Sequence, residues 1–238
     1  MKLKKILKIA TGIVIILTLP SLLFFGLIYF KYNEDLPVGS NPEQADVLAN
    51  KMLNALDYEA YKNTNYIEWM FKSNRFYKWK KNKQTCLVYW KDYKVDLNLK
   101  DYALSKAYIH NFSVEGEIGD DLIDKAIKYF NNDSFWLVAP YKIFDIGTKR
   151  TIVKLEDGSD GLLVTYTTGG TTPGDSYLWH LDSTGKPTHF QIWASTLPID
   201  GLEASWTNWV TTETGAQLPT FHKILFLGIE NNDIKTSF

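Results

Sequence analysis

The chain has 238 residues, of which 45% are hydrophobic and 22% charged, so its composition is that of a folded globular protein rather than a disordered one. Its net charge of −1 hides an asymmetry, because residues 1–31 carry five lysines and no acidic residue, which leaves 21 basic against 27 acidic residues elsewhere. An acidic remainder argues against a nucleic-acid partner, which requires a basic face.

The segment Ile9–Phe30 is a run of 22 residues without a charge, long enough to cross a hydrocarbon core of ~30 Å as a helix. Lysines precede this run, and the acidic Glu34 and Asp35 follow it, so the positive-inside rule places the N-terminus in the cytoplasm and the C-terminal domain outside. A cleaved signal peptide is the competing interpretation, but its apolar region is usually ~7–15 residues and ends at small residues, which Tyr29–Tyr32 lacks. Residues 1–31 are therefore predicted to be a cytoplasmic stub and transmembrane anchor.

A polar linker is expected over residues 32–42, followed by a single domain over residues 43–238. The domain begins with a helix, because Asn41 is a good N-cap, Pro42 suits the first helical position, and apolar residues recur at helical spacing as far as Leu56. This helix is amphipathic, so one of its faces must pack against an apolar surface.

Alternating apolar residues after Asn63 predict strands in place of helix. Four sequential antiparallel strands with short turns are expected at residues 66–71, 75–79, 85–90 and 94–99. A second helix is predicted over Asp120–Phe130. The very apolar segment Phe135–Phe144, broken by Pro140, fits either a short buried helix or a lid-like loop.

Strand patterns return over the last hundred residues, at 151–155, 162–167, 177–181, 188–193, 203–211 and 221–227. One register gives two of these strands a strongly apolar face, with His180 and His189 on the opposite face. Its pairs are Leu181–Thr188, Trp179–Phe190 and Tyr177–Ile192. The order of helix, strands, helix and strands predicts an α+β domain with a curved antiparallel β-sheet, covered by helices on one face and preceded by one transmembrane helix.

No residue pattern indicates catalysis. The glycine-rich stretch Gly169–Asp175 lacks the lysine and the following helix of a phosphate-binding loop, so it is expected to join two strands. His180 and His189 form at most half of a metal site, because no third ligand stands at a recognisable spacing and the single cysteine, Cys86, lies in an apolar strand. Paired carboxylates such as Asp120-Asp121 fit helix caps or turns. We therefore expect neither an enzymatic activity nor a metal or cofactor.

The aromatic content is high, with eight Trp, fourteen Tyr and thirteen Phe. A curved sheet with one apolar face and covering helices can enclose a hydrophobic cavity, which binds acyl chains by burying apolar area at roughly 25 cal/mol per Å². The alternative is that the helices fill the sheet completely and leave a packed core. The candidate cavity-lining residues are Trp69, Phe71, Trp79, Trp90, Trp136, Tyr177, Trp179, Phe190 and Trp193.

Several stretches of the C-terminal half resemble uncharacterised envelope proteins of Gram-negative bacteria. These stretches are Leu163–Trp179, Gln191-Ile192-Trp193, Leu197–Glu203 and Ser205-Trp206, with Phe135–Lys142 upstream. Such proteins are similar in layout to the LolA/LolB-like lipoprotein carriers, whose fold is a curved antiparallel half-barrel closed by helices. The resemblance spans about residues 43–230. It implies a half-barrel cavity that receives lipid acyl chains, in a periplasmic domain anchored to the inner membrane.

The anchor is a departure from those carriers, because a soluble carrier must diffuse whereas this chain is tethered through Ile9–Phe30. We therefore expect a membrane-anchored envelope protein that binds a lipid or another apolar ligand. The first alternative is a protein-binding scaffold module for an envelope partner, marked by a filled interior and exposed apolar surface. The second is a hydrolase, marked by a polar cleft in which His180, His189 or His222 meets a carboxylate.

Overall fold

The computed structural model describes residues 2–169 and 172–238, and it has the predicted α+β organisation, with helices and one large curved antiparallel sheet. The helices are α1 (Lys2–Tyr32), α2 (Pro42–Ala55), α3 (Tyr58–Asn63) and α4 (Gly116–Val138). The strands are β1 (Tyr66–Phe71), β2 (Arg75–Lys80), β3 (Thr85–Trp90), β4 (Tyr93–Asn98), β5 (Lys106–Ile109), β6 (Phe112–Val114), β7 (Thr148–Lys154), β8 (Asp160–Tyr166), β9 (Ser176–Leu181), β10 (Pro187–Trp193), β11 (Leu202–Ser205), β12 (Thr207–Thr211), β13 (Gln217–Ile224) and β14 (Leu227–Ser237).

Helix α1 is the one helix, among the described residues, that is long and apolar enough to cross a membrane. Its span Lys4–Tyr32 has a mean hydropathy of 2.5, and none of its most apolar window is buried against the rest of the chain. These properties indicate membrane anchoring through the predicted segment.

The sheet joins the two halves of the domain through the pairing of β1 with β14. Its strand order is β6-β5-β4-β3-β2-β1-β14-β13-β11-β10-β9-β8-β7, and β12 pairs with β13 beside β11. Neighbouring strands run antiparallel, so every hairpin turn lies at one of two opposite rims of the sheet.

Two of the predicted strands are interrupted in the structure. The pattern over residues 203–211 predicts one strand, whereas the chain forms β11 and β12 with a break at Trp206. The backbone N–H of Trp206 donates to the carbonyl of Thr188 at 2.7 Å. The predicted strand 221–227 crosses the turn between β13 and β14. The chain reverses there because Leu225 adopts a φ of 52°, and no glycine or proline in the sequence signals the turn.

Helix α4, which corresponds to the helix predicted over Asp120–Phe130, is longer than predicted at both ends. It begins at Gly116, directly after β6, and continues to Val138, where Pro140 lies in a 3₁₀ turn over Ala139–Lys142. The first part of the segment predicted as a short buried helix or a lid-like loop is therefore the buried last turn of α4, and the loop alternative is wrong.

The register predicted between β9 and β10 is correct over most of its length, because Trp179 pairs with Phe190 and Tyr177 pairs with Ile192. Leu181, however, pairs with Pro187 and not with Thr188, since the register shifts between Pro187 and His189. Proline has no N–H to donate to the ladder, which favours such an irregularity at this strand end.

One face of the curved sheet carries the main hydrophobic core, and helices α2 and α4 cover it. Helix α2 packs its buried residues Ala45, Ala49 and Met52 toward β7 and β8. Helix α4 lies across β4, β5 and β13, so it contacts strands from both halves of the domain. We call this covered side of the sheet the interior face.

Asp133 of α4 is a carboxylate with no exposed surface. Arg75 donates from Nε to Oδ2 at 2.5 Å and from Nη2 to Oδ1 at 3.1 Å, and the Tyr77 hydroxyl donates to Oδ2 at 2.5 Å. The guanidinium of Arg75 also lies over the ring of Tyr129, 4.4 Å from its centroid. A buried charge is tolerated only where its partners are in place, so this cluster fixes the position of α4 against β2.

The predicted linker, residues 32–42, is bound to the sheet rather than free, and we call residues 33–40 the strap. At the start of the strap, Trp193 donates from Nε1 to the carbonyl of Glu34 at 2.8 Å. Gln191 donates from Nε2 to the Glu34 carboxylate at 2.9 Å. Since side chains alternate along β10, Gln191 and Trp193 point away from the interior face, and the strap lies on the outer face.

Further contacts hold both ends of the strap. The Asn33 side chain accepts from the N–H of Asp200 at 3.0 Å. At the other end, Ser40 and Ile152 exchange backbone hydrogen bonds of 2.9 and 2.7 Å. Because β9 and β8 separate β10 from β7, the strap must cross these two strands to reach Ile152. The anchor and the domain are therefore joined without free chain between them.

Replacing Asp133 with Ala is expected to destabilise the chain by about 3–5 kcal/mol, because it leaves the largely buried Arg75 without its carboxylate. The control is Glu59→Ala, which removes an exposed ion pair with Lys62 and is expected to cost at most ~0.5 kcal/mol. Chemical unfolding of the full chain in detergent, followed by tryptophan fluorescence, compares the two. Equal losses would contradict the role given to Asp133.

Replacing Gly201 with Ala is expected to release the strap, because a Cβ there would lie 2.8 Å from Cβ of Glu34. The control is Gly158→Ala, which has a similar φ of +83° but nothing within 4 Å of the added Cβ. Both changes place a side chain in the left-handed region, at a cost of about 1–2 kcal/mol. Only Gly201→Ala should accelerate cleavage after Glu34 by a glutamyl endopeptidase; the same cleavage rate in both variants would speak against a bound strap.

Candidate ligand site in the aromatic interior

Eight of the nine predicted cavity residues come together in the main core on the interior face. Trp69, Phe71, Trp90, Trp179 and Phe190 are buried there, and Trp79, Trp136 and Tyr177 pack against them partly exposed. Trp193 lies apart. It belongs to a small cluster on the outer face with Val153, Leu163 and Leu178, because it follows Phe190 by an odd number of residues along β10.

The aromatic cluster of the C-terminal half is centred on Trp206, a residue absent from the predicted set. Its ring centroid lies 5.0 Å from that of Trp179, 5.4 Å from Phe190 and 6.4 Å from Trp136 of α4. Trp179 and Phe190 also meet edge to face at 4.8 Å, an arrangement that aromatic rings favour. The sequence contains a signal for Trp206, because alternation along the predicted strand places it on the same face as Leu202 and Ala204.

The aromatic cluster of the N-terminal half meets the same helix further towards its N-terminus, at Tyr129 and Phe130. Trp69 stacks on Tyr77, with centroids 4.4 Å apart and planes at 15°. Trp79 meets Phe130 of α4 edge to face at 5.3 Å. Trp90 meets Tyr129 of α4 in the same way at 5.6 Å. Helix α4 is thus the element that contacts both aromatic clusters.

Several buried donors in this interior have no acceptor among the described residues. They are the indole N–H groups of Trp69, Trp90, Trp179 and Trp206 and the hydroxyl of Tyr166. The side-chain oxygen of Asn231 is likewise without a donor in the described part of the chain. Each buried polar group left unpaired costs about 1–3 kcal/mol, so an acceptor brought to these donors would stabilise the fold.

His222 and Asn231 form a polar pair inside the aromatic cluster of the C-terminal half. His222 has no exposed surface, and its ring lies 4.4 Å from that of Trp206. With Nδ1 donating to the carbonyl of Ser205 at 2.9 Å, the Nε2 lone pair accepts from Asn231 Nδ2 at 3.4 Å. Burial lowers the pKa of His222 from its ordinary value of 6.5 to about 4, so the ring is neutral at neutral pH.

The two other histidines considered from sequence lie on the outer face. His180 and His189 are cross-strand neighbours, as predicted, with ring centroids 4.0 Å apart. His180 Nε2 lies 3.3 Å from Gln191 Oε1, and His189 Nδ1 lies 3.0 Å from the hydroxyl of Thr188. Among the described residues, no group of three or more His, Cys, Asp or Glu is placed to hold a metal ion.

Two surface depressions are large enough for a small ligand, and both lie away from the predicted cavity residues. One, of about 460 Å³, is lined by α2 and α3 residues together with Phe144. The other, of about 630 Å³, lies between β12 and β14 and reaches Asn231. On the interior face, aromatic rings pack against one another and against α4, so a ligand would reach them if α4 moved.

No family model matches the chain, and no curated protein matches it. Among solved structures, the chain is similar to a DUF1329 family protein from Desulfovibrio piger, with 10% sequence identity and a TM-score of 0.43. That similarity covers 83% of this chain and 94% of the other.

Lowering the pH from 7 to 4 is expected to destabilise the wild-type chain more than a His222→Gln variant. The unfolded chain binds a proton at His222 near pH 6.5 and the folded chain only near pH 4, so stability falls as the pH drops through this window. The difference should approach roughly 3 kcal/mol. Unfolding curves at both pH values measure it, with the exposed His110→Gln as control; an unchanged pH dependence in His222→Gln would refute the assignment.

Proposed function

We propose that the protein is a single-pass inner-membrane protein whose periplasmic domain binds the acyl chain of a lipid, or a similar apolar ligand, between α4 and the curved sheet. The domain would then be a tethered half-barrel related in layout to the LolA/LolB-like lipoprotein carriers. A tether makes it a fixed receptor or handover point in lipid or lipoprotein handling rather than a diffusing carrier.

The observation that carries this proposal is the set of unpartnered donors in the aromatic interior. The ring centroids of Trp179 and Trp206 lie 5.0 Å apart, and their buried indole N–H groups have no acceptor in the described part of the chain. A lipid carries ester carbonyl oxygens that accept such hydrogen bonds, and its chain gains ~0.8 kcal/mol per buried CH₂. Aromatic surface and spare donors together suit an amphiphile better than a plain hydrocarbon.

Helix α4 is the element whose displacement would open the interior. It supplies Phe130 and Trp136 to the two aromatic clusters, so moving it uncovers both at once. Its one fully buried charge is the carboxylate of Asp133, which contacts β2 through Arg75 and Tyr77. Displacing α4 must separate this buried ion pair, and the free energy of ligand binding has to offset that cost.

Native mass spectrometry on residues 33–238, followed by solvent extraction, tests the proposal. These residues keep the strap, and removing α1 exposes no core because the apolar window of α1 is not buried against the domain. We expect a co-purifying mass that extracts as a phospholipid or a fatty acid. A Trp179→Phe and Trp206→Phe double variant should bind less of it, because it keeps the rings and removes the donors. Trp209→Phe is the matched control, since the indole N–H of Trp209 already donates to the backbone carbonyl of Trp206 at 3.1 Å.

A clean mass without ligand, unchanged after incubation with lipid, would reject the lipid proposal and favour a protein-binding scaffold. One observation supports that second function. Rings in mutual contact fill the interior, whereas Phe112 on the edge strand β6 exposes most of its side chain. An exposed edge strand can pair with a strand of another protein.

A further inference from the structure

The C-terminal end of α1 lies directly beside one rim of the sheet. Helix α1 ends at Tyr32, and the next two residues, Asn33 and Glu34, are already bonded to Asp200. The N–H of Glu34 donates to the carbonyl of Asp200 at 3.0 Å. Because no free chain separates α1 from the domain, the loop 194–201 must lie within a few residues' length of the bilayer that α1 crosses.

Strand pairing identifies what else lies on this rim. Ala204 pairs with Ile224, so the turn 225–226 reaches the same level as Leu202, at the start of β11. On the other side of loop 194–201, Thr165 pairs with Ser176 and Ser176 pairs with Trp193. The end of β8, the start of β9 and the end of β10 therefore lie at one level of the sheet.

Beyond that level, Thr148 pairs with Tyr166, and the preceding Gly147 accepts at its carbonyl from the N–H of Thr167 at 2.8 Å. Ile146 therefore projects past the end of β10. We call the loops 143–147 and 194–201 and the turn 225–226 the anchor rim.

Large apolar side chains are exposed on the anchor rim. Ile146 is 97% exposed, and Phe226, at the tip of its hairpin, is 70% exposed. The turn that presents Phe226 places Leu225 at a φ of 52°, which costs a non-glycine residue about 1–2 kcal/mol.

We propose that the anchor rim rests on the bilayer, with the side chains of Ile146 and Phe226 inserted among the lipid headgroups and upper acyl chains. Tyr29 and Tyr32 at the end of α1 fit the aromatic belt at a membrane interface, which brings the rim to headgroup level. Insertion removes apolar surface from water, which explains why the tips carry Ile and Phe. The strap and the rim together hold the sheet in one orientation on the membrane. This inference rests on the anchoring of α1 and not on ligand binding in the interior.

Depth-dependent quenching in the full chain, reconstituted in nanodiscs, tests the orientation. Single cysteines at Phe226→Cys and Ile146→Cys carry an environment-sensitive dye; native Cys86 is buried, and the unsubstituted chain serves as the labelling blank. The matched control is Phe238→Cys, because Phe226 and Phe238 flank the two ends of β14 and are 70% and 75% exposed. Eleven residues of strand separate them, or about 36 Å.

We expect the dyes at positions 226 and 146 to show blue-shifted emission, strong quenching by lipids spin-labelled near the headgroup, and weak quenching by iodide. The dye at position 238 should show the reverse. Water-like emission and iodide quenching at 226 or 146 would overturn the proposal, because the orientation requires both to insert. Protection from iodide without quenching by the labelled lipids would also overturn it, since a second copy or another protein would then cover the rim. None of these outcomes depends on whether the interior binds lipid.

Discussion

A buried carboxylate, that of Asp133, determines where α4 lies on the curved sheet. Its oxygens accept from Arg75 and Tyr77 of β2, so any other placement of the helix would leave a charge without partners in a low-dielectric interior. Replacing such an ion pair with apolar residues is often neutral for stability, and its main effect here is to select one position of the helix. The aromatic clusters that flank it then have a single way to meet α4.

The two faces of the sheet serve different purposes because side chains alternate along each strand. On the interior face, Phe190 of β10 packs with Trp179, Trp206 and the helix residue Trp136. On the outer face of the same strand, Trp193 donates its indole hydrogen bond to the strap. One strand therefore contributes both to the candidate ligand site and to the connection with the membrane anchor.

Elements with strong local patterns could be predicted from the sequence, and those set by tertiary contacts could not. The boundaries of β1 and β3 and the start of α2 at Pro42 follow from alternation and capping residues. The turn at Leu225 has no glycine or proline to signal it, and the break at Trp206 arises from a hydrogen bond to a distant strand. Eight of the nine predicted residues lie on the interior face, but Trp206, at the centre of the C-terminal cluster, is not among them.

By itself, the sequence determined that the chain has an apolar helix long enough to span a membrane and an α+β domain rich in aromatic residues, because charge-free runs and residue periodicity are local properties. Only the tertiary structure decided which aromatic residues meet, that Asp133 pairs with Arg75, and that Glu34 binds Trp193. Asp133 and Arg75 lie 58 positions apart in the sequence, and Glu34 and Trp193 lie 159 positions apart. No local pattern encodes such partners, since they depend on how antiparallel strands and a covering helix bring distant segments together.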